Sequence, residues 1–464
     1  MTDESERAAG TWRPPNVVHV VLDDLGYADL GCYGGAAVDT PNLDRLAENG
    51  TRFTQAYAGA PVCAPSRSVL MTGRHTGNTP VRGNTGGIPL DSGVDTVADV
   101  LSEAGYATGG FGKWGLGDVD TGGVPEANGF DEFFGYYHQV HAHSYYPEYL
   151  VDTGERVDQG GERVPRGELA GPVGERDGEY SHYAVVDRTL AFVDARADAG
   201  EPFYCYAPWT PPHGPMQIPA DDPAWRRYAD EPWPEDHRVA AAMLTMVDRQ
   251  VGDLLELLED RGVAGETLVL FSSDHGAADR REGTLDSCGA LRGRKRDVYE
   301  GGIRTPLLAR WPGTVESGRV SYHPVHYADV LPTLAELAGV PGAVPDDVDG
   351  HSVVPELLGP DAAGRGQPEH EYLYWSLPRM DWAAGRYAPT GLEQAVRAGD
   401  WKLLRHDTDE PWELYNLSTD PVEERDLADA NPGRVERLRG YVEEAQADRD
   451  PRPEPETPEG KRFR

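Results

Sequence analysis

Along the chain, short β-branched runs end abruptly in polar or charged residues. The clearest is Asn16–Leu22 (NVVHVVL), apolar at nearly every position and followed at once by Asp23 and Asp24. A run without a polar face predicts a strand buried on both sides, as in a parallel sheet. The pattern recurs at Ala107–Gly112 before Lys113, at Phe203–Ala207 leading towards His213, and at Thr267–Ser273 before Asp274 and His275. Between these runs lie helical patterns: Pro41–Asn49 stopped by Gly50, Asp95–Ala104 stopped by Gly105, and Asp236–Arg261 stopped by Gly262. Strands alternating with helices predict an α/β domain with a mainly parallel sheet. In such sheets the binding crevice lies beyond the carboxyl ends of the strands, so the Asp, Lys and His residues there are expected to converge.

From about Glu371 the pattern changes. Tyr372–Trp375, Gln394–Arg397, Trp401–Arg405 and Glu413–Leu417 read as short strands with a hairpin turn at Ala398-Gly399-Asp400, followed by a helix over Arg434–Gln446. A chain of 464 residues exceeds the size of one hydrophobic core. We therefore expect a catalytic α/β domain over 14–370, a small antiparallel α+β domain over 371–446, and disordered tails at 1–13 and 447–464. The Gly- and acid-rich stretch Asp152–Glu179 is expected to be a surface insertion, a candidate lid.

Charge narrows the range of partners. The formal net charge of -36 would repel nucleic acid and anionic membranes. No apolar run approaches the ~20 residues of a membrane helix, and the polar start MTDESERAAGTW lacks the features of a secretory leader. A cytoplasmic protein is the resulting expectation. Only Lys113, Lys295, Lys402 and Lys461 are lysines among 43 basic residues, a composition suited to high salt. Cys32, Cys63, Cys205 and Cys288 are widely spaced, which argues against a disulfide framework or structural zinc. An acidic protein that binds an anion must also concentrate local positive charge at the site.

Several segments carry candidate chemistry. In Cys63-Ala64-Pro65-Ser66-Arg67-Ser68-Val69-Leu70-Met71-Thr72-Gly73-Arg74, Pro65 suits a first helical turn and Gly73 a stop, which places Cys63 at a helix N-terminus where anions are favoured. Arg67 lies one turn on. By itself Cys63 fits a buried free thiol equally well. Asp23-Asp24 and Asp274-His275 offer hard oxygen ligands for Ca²⁺ or Mg²⁺, although an isolated Asp-Asp also suits a helix cap. Lys113 and Lys295 stand in glycine-flanked segments, FGKWGLG and LRGRKRDVYEGG, where a compact ammonium could meet a tetrahedral anion. His213, in WTPPHGP, has a rigid setting for a general acid. Gly110 to Gly115 also fits GxGxxG, but the loop-like sequence after it rules out a dinucleotide fold.

These segments together resemble the sulfatase family, from about Pro14 to Asp426. CAPSR with the later TGR is similar to the signature that marks a cysteine for oxidation to formylglycine by a formylglycine-generating enzyme. NVVHVVLDDLGYADLGCYG and FSSDHG resemble the family's metal-ligand segments, YEGGIRTP and DVLPTL its structural ones. The resemblance implies an alkaline phosphatase-like fold. It implies Asp23, Asp24, residue 63, Asp274 and His275 around a metal, with Arg67, Lys113, Lys295 and His213 acting on the sulfate ester. Many members carry Asn at the position of His275, and His is the softer ligand; Ca²⁺ is still expected, with Mg²⁺ or Mn²⁺ as alternatives. Gly115 replaces a histidine that the family uses in sulfate binding and elimination, and His143, in AHSYYP, is the assigned substitute, with His141 the other candidate.

The expected activity is hydrolysis of an aryl or carbohydrate sulfate ester. A phosphonate monoester or phosphodiester hydrolase and a catalytically silent binding homologue are the competing readings. Trp209, Tyr145, Tyr146, Arg82 and Asn84 are candidates for the subsite that receives the alcohol.

Overall fold

A computed structural model describes residues 13–84, 89–90, 93–161, 177–381 and 386–446. Its strands, in chain order, are β1 Asn16–Leu22, β2 Thr51–Tyr57, β3 Ala107–Lys113, β4 Glu132–Tyr136, β5 Tyr149–Asp152, β6 Glu155–Asp158, β7 Phe203–Ala207, β8 Thr267–Ser273, β9 Arg304–Arg310, β10 Arg319–Ser321, β11 Val325–His326, β12 Leu373–Asp381, β13 Arg386–Ala398, β14 Trp401–Arg405 and β15 Glu413–Asn416. The first eleven form one sheet in the order β10-β2-β9-β8-β1-β7-β3-β4-β5-β6, with β11 also on β2. β1 lies at its centre, parallel to both β7 and β8. β9 runs antiparallel between β2 and β8.

Alternation along β1 shows why the run had to be apolar throughout. Val18, Val20 and Leu22 enter one core, beneath the helices Ser181–Ala199 and Glu235–Asp260, while Val17 and Val21 enter a second core on the opposite face. The helices Cys63–Thr72, Val97–Glu103 and Val330–Leu337 cover that second face. The sheet is therefore sandwiched by helices, as expected, and the four predicted strand ends all lie on it.

The helices begin where local chemistry starts them. Thr96 caps Val97–Glu103 by accepting from the N–H groups of Ala98 (3.1 Å) and Asp99 (3.2 Å), while Asp99 accepts from Thr96 N–H at 2.9 Å. A reciprocal cap of this kind stabilises by about 1 kcal/mol and moves the start two residues past the expected Asp95.

The second sheet, β12-β13-β14-β15, is antiparallel, with the expected hairpin at Gly399-Asp400. β12 and β13 are longer than the predicted short strands, because pairing continues past an irregularity at Pro378 to Asp381 opposite Arg386. Trp375, Ala395 and Leu404 pack on Tyr57 of the large sheet and on Ile303 of the short helix Glu300–Ile303. Tyr374, Val396 and Leu403 pack on Leu438 and Val442 of the helix Pro432–Ala445. The stretch expected to be an insertion begins as the β5–β6 hairpin on the edge of the large sheet. Most of the candidate lid and the two expected tails lie outside the described residues, apart from Arg13. Among those residues no helix is long and apolar enough to cross a membrane.

Candidate active site

The helix Cys63–Thr72 was expected to bury one side. All ten of its residues are buried, including Ser66, Arg67 and Ser68. Polar contacts make this tolerable: Ser66 Oγ donates to Asp274 O (2.5 Å) and accepts from Gly59 N–H (3.1 Å), and Ser68 Oγ meets Thr79 Oγ1 at 2.6 Å. Gly73, at φ 68°, stops the helix with its N–H on Val69 O. Cys63 thus starts a rigid helix aimed at the ends of β1 and β8.

The strand-end residues converge there. Cys63 Sγ lies 3.5 Å from Asp23 Oδ1 and 3.3 Å from His275 Nε2. His275 Nε2 is also 3.3 Å from Asp24 Oδ1 and 3.4 Å from Asp274 Oδ1. Asp24 turns sharply to reach this point, at φ 69°. Donor atoms of Asp23, Cys63, Asp274 and His275 all lie within 4.8 Å of one another, as do those of Asp23, Asp24, Cys63 and His213. His275 Nδ1 faces Gly276 O at 2.8 Å, so a proton on Nδ1 leaves Nε2 free to act as a ligand towards the carboxylates. Three buried carboxylates with that nitrogen suit a divalent cation.

Each predicted cation has a defined place. Lys113 pairs with Asp23, and Lys295 with Asp24. Gly112 lets Lys113 reach the site: at φ 135°, a Cβ there would lie 2.2 Å from Pro208 O. Arg67 contacts Asp274 through Nε (3.1 Å) and Nη2 (2.9 Å), approaches Asp23 at 3.4 Å, and donates to Lys113 O at 2.6 Å. Its fork therefore orients carboxylates in this structure. His213 Nε2 stands 3.8 Å from Asp24, and its ring stacks on His143 with centroids 4.8 Å apart.

Burial and charge compete at every titratable group. Burial would raise Asp23, yet the charges of Lys113 and Arg67 hold it well below the carboxylate range. Burial likewise opposes the charged form of Asp24, but Lys295 brings it to about 2. Lys113 and Lys295 are lowered by burial and raised further by Asp23 and Asp24, so both stay protonated. Burial also lowers His275, but Asp274 and Cys63 carry it to about 9. At His213 burial wins and holds the ring neutral.

A cavity of about 420 Å³ opens in front of Asp24, lined by His143, His213, Lys295, Asn84 and Gln139. Of the proposed subsite residues Asn84 lines it, whereas Trp209, Tyr145, Tyr146 and Arg82 do not. Trp209 and Tyr145 are core residues, fixed by hydrogen bonds from Trp209 Nε1 to Thr189 Oγ1 (3.3 Å) and from Tyr145 OH to His213 O (3.0 Å). Gln139 escaped the sequence reading, since nothing local marks it. It is buried with Oε1 unpartnered among the described groups, and a Cβ built on Gly115 would approach its own Cβ at 3.8 Å. Gly115 has φ 81°, a conformation that favours glycine. Gln139 and Arg67, whose Cδ would lie 3.7 Å from that Cβ on Gly115, are thus the neighbours at the position left without a histidine.

A buried cysteine, three carboxylates and an ammonium pair converge beside one cavity, and comparison with known proteins says what family carries them. The family model described as Sulfatase matches residues 15–340, and one described as N-sulphoglucosamine sulphohydrolase, C-terminal, matches residues 293–442. Human arylsulfatase A is 36% identical over 452 residues, covering 89% of this chain and 83% of its own. The N-acetylgalactosamine-6-sulfatase of Canis lupus familiaris is 33% identical over 76% of this chain and 67% of its own. The crystal structure of Ps i-CgsB in complex with k-i-k-neocarrahexaose superposes with a TM-score of 0.78 at 28% identity, covering 95% of this chain and 94% of that one. The chain belongs to the sulfatase family. It is a sulfuric ester hydrolase with the alkaline phosphatase-like fold, acting on a sulfate ester.

Proposed function

We propose that residue 63 works as formylglycine, made from Cys63 by a formylglycine-generating enzyme. We further propose that Asp23, Asp24, Asp274 and His275 hold a divalent metal beside it, Ca²⁺ ahead of Mg²⁺ or Mn²⁺. The substrate is an aryl or carbohydrate sulfate ester. One observation carries this reading: a buried helix start places Cys63 Sγ against His275 Nε2 and Asp23, next to the Asp24 that lines the cavity. When bound, the metal would neutralise sulfate oxygens and acidify a hydroxyl beside it.

Sulfate-ester sulfur is shielded by negative oxygens, so attack first needs charge neutralisation. Lys113 Nζ and Lys295 Nζ supply fixed positive charge, and Arg67 holds Asp274 and Asp23 in place. Hydration of the residue-63 aldehyde provides two hydroxyls. One of them gives up its proton to solvent and attacks, forming an S–O bond as the bond to the alcohol oxygen breaks, and that oxygen takes a proton from His213 Nε2 or Lys295 Nζ. His213 is neutral at rest, and an incoming anion favours its protonated form. The second hydroxyl then loses its proton, with His143 assigned to receive it; sulfate leaves and the aldehyde returns. A serine has no second hydroxyl to complete this step.

Turnover of an aryl sulfate, measured beside an aryl phosphonate, should fall by orders of magnitude in Cys63→Ser with the melting temperature preserved. Mass spectrometry of the tryptic peptide beginning at Phe53 should show formylglycine in protein from its native host. Near-parental turnover by Cys63→Ser, or active protein carrying only the thiol, would refute the mechanism.

A further inference from the structure

Lys295 stands in a run of three cations, Arg294-Lys295-Arg296, and the backbone sends them in different directions. Arg296 adopts the left-handed conformation, φ 76°. It is held there by its N–H on Pro61 O (2.7 Å), Lys295 N–H on Ala277 O (2.9 Å) and Asp297 N–H on Arg294 O (2.9 Å). A residue other than glycine keeps such a conformation only when its surroundings impose it. The turn directs Lys295 inward to Asp24, while exposed Arg294 and Arg296 stand on the wall of the 420 Å³ cavity.

Little in the fold occupies these two guanidinium groups. Arg294 reaches Asp279 only at 3.7 Å, in a pair that is about half exposed on both sides. Such a contact holds little energy. The carboxylate of Asp297, also on the cavity wall, accepts from the backbone N–H of Arg294 at 3.0 Å. Lys295 on the cavity wall and the deeper Lys113 already supply charge for a single sulfate group. A neutral alcohol half would leave Arg294 with only its exposed contact to Asp279, and Arg296 with no ion pair among the described residues, on a chain whose net charge is -36.

We propose that Arg294 and Arg296 form a second anion subsite. It selects sulfate esters whose alcohol half carries at least one further anionic group, the chemistry of multiply sulfated carbohydrates. This rests on the sulfate-ester reading above. Guanidinium forks match sulfate and carboxylate oxygens two at a time. The cavity also lies within the roughly 300–1,000 Å³ of small-molecule sites, which leaves room beyond the reacting sulfate.

The test is competitive inhibition of 4-nitrophenyl sulfate turnover, at fixed ionic strength, by sucrose octasulfate and by inorganic sulfate. In the double variant Arg294→Gln/Arg296→Gln the octasulfate Ki should rise about tenfold or more, as expected for lost charge-assisted hydrogen bonds. The Ki of inorganic sulfate should stay within about twofold, because its site lies deeper. Arg294→Lys/Arg296→Lys, which keeps charge but loses the fork, should fall between. An unchanged octasulfate Ki, or both Ki values rising together, overturns the subsite. Failure of the parent protein to hydrolyse 4-nitrophenyl sulfate counts against the sulfatase reading alone. Octasulfate affinities of parent and double variant, measured by calorimetry, then still decide the subsite by the same tenfold criterion.

Discussion

Two clusters of buried charge lie in this molecule, and they are built differently. Where the second sheet docks, Lys402 Nζ donates to Glu300 at 2.9 Å and to Glu423 at 2.8 Å, with none of the three side chains exposed. Arg304 and Tyr57 complete the environment of Glu300. Here the chain's own ammonium sits between the carboxylates. At the ends of β1 and β8, Lys113 and Lys295 approach from the outside, and Asp23, Asp24, Asp274 and His275 turn donor atoms towards one another beside a cavity. Buried ion pairs alone do not distinguish structure from function. Convergence of ligand atoms on an accessible point does.

The largest effect should come from the closed cluster. Lys402→Met leaves two buried carboxylates without their cation, and should lower stability by about 3–5 kcal/mol in denaturant titration while sparing kcat per folded molecule. At the open cluster the pattern should invert. Lys113→Met should reduce kcat by roughly 10²–10³-fold, or about 2.7–4 kcal/mol of transition-state stabilisation, with a smaller change in melting temperature than Lys402→Met. Equal stability losses in the two variants would erase the distinction.

Metal removal sharpens it further. Adding Ca²⁺ at about 100 times its Kd to chelated protein should stabilise by about 2.7 kcal/mol, seen as a rise in melting temperature. That rise should vanish in Asp274→Asn and persist in Lys402→Met.

A smaller effect concerns pH. Burial raises Glu423 to about 7, with Lys402 opposing and Glu300 adding to the rise, while Glu300 itself is driven by Lys402 to about 2. A carboxyl raised in the fold binds more protons there than when unfolded, so its contribution falls as pH climbs from about 4.5 to 7. The destabilisation by Glu423→Gln should therefore shrink over that interval, as judged by melting temperatures at both ends. Salt should act least on the two clusters, because screening reaches buried pairs poorly. The acid-rich surface should make the whole protein more stable in molar salt, while the Lys402→Met deficit stays the same.

The scarcity of lysine in this chain makes Lys113 and Lys295 unusual, and both are in the open cluster. It marks Lys402 equally, and that residue joins the two sheets. Scarcity thus points to burial of lysine, and only position in space assigns the task. The strand ends were legible because β1, β3, β7 and β8 are buried on both faces, which demands unbroken apolar runs. β2 (TRFTQAY) and β9 (RTPLLAR) carry polar residues and pair antiparallel. No local period distinguished them. The grip of Arg67 on Asp274 depends on residues 207 positions apart, and the closeness of Gln139 to Gly115 on the β3–β4 pairing. Neither leaves a trace in the adjacent sequence.

The helix that begins at Cys63 has no residue open to solvent, and Leu377 of the second sheet packs against that cysteine. If residue 63 works as formylglycine, as proposed above, burial of this kind imposes an order of events: the fold closes off the thiol, so its oxidation has to run ahead of folding. Protein that folds first would then be well formed, durable and inert.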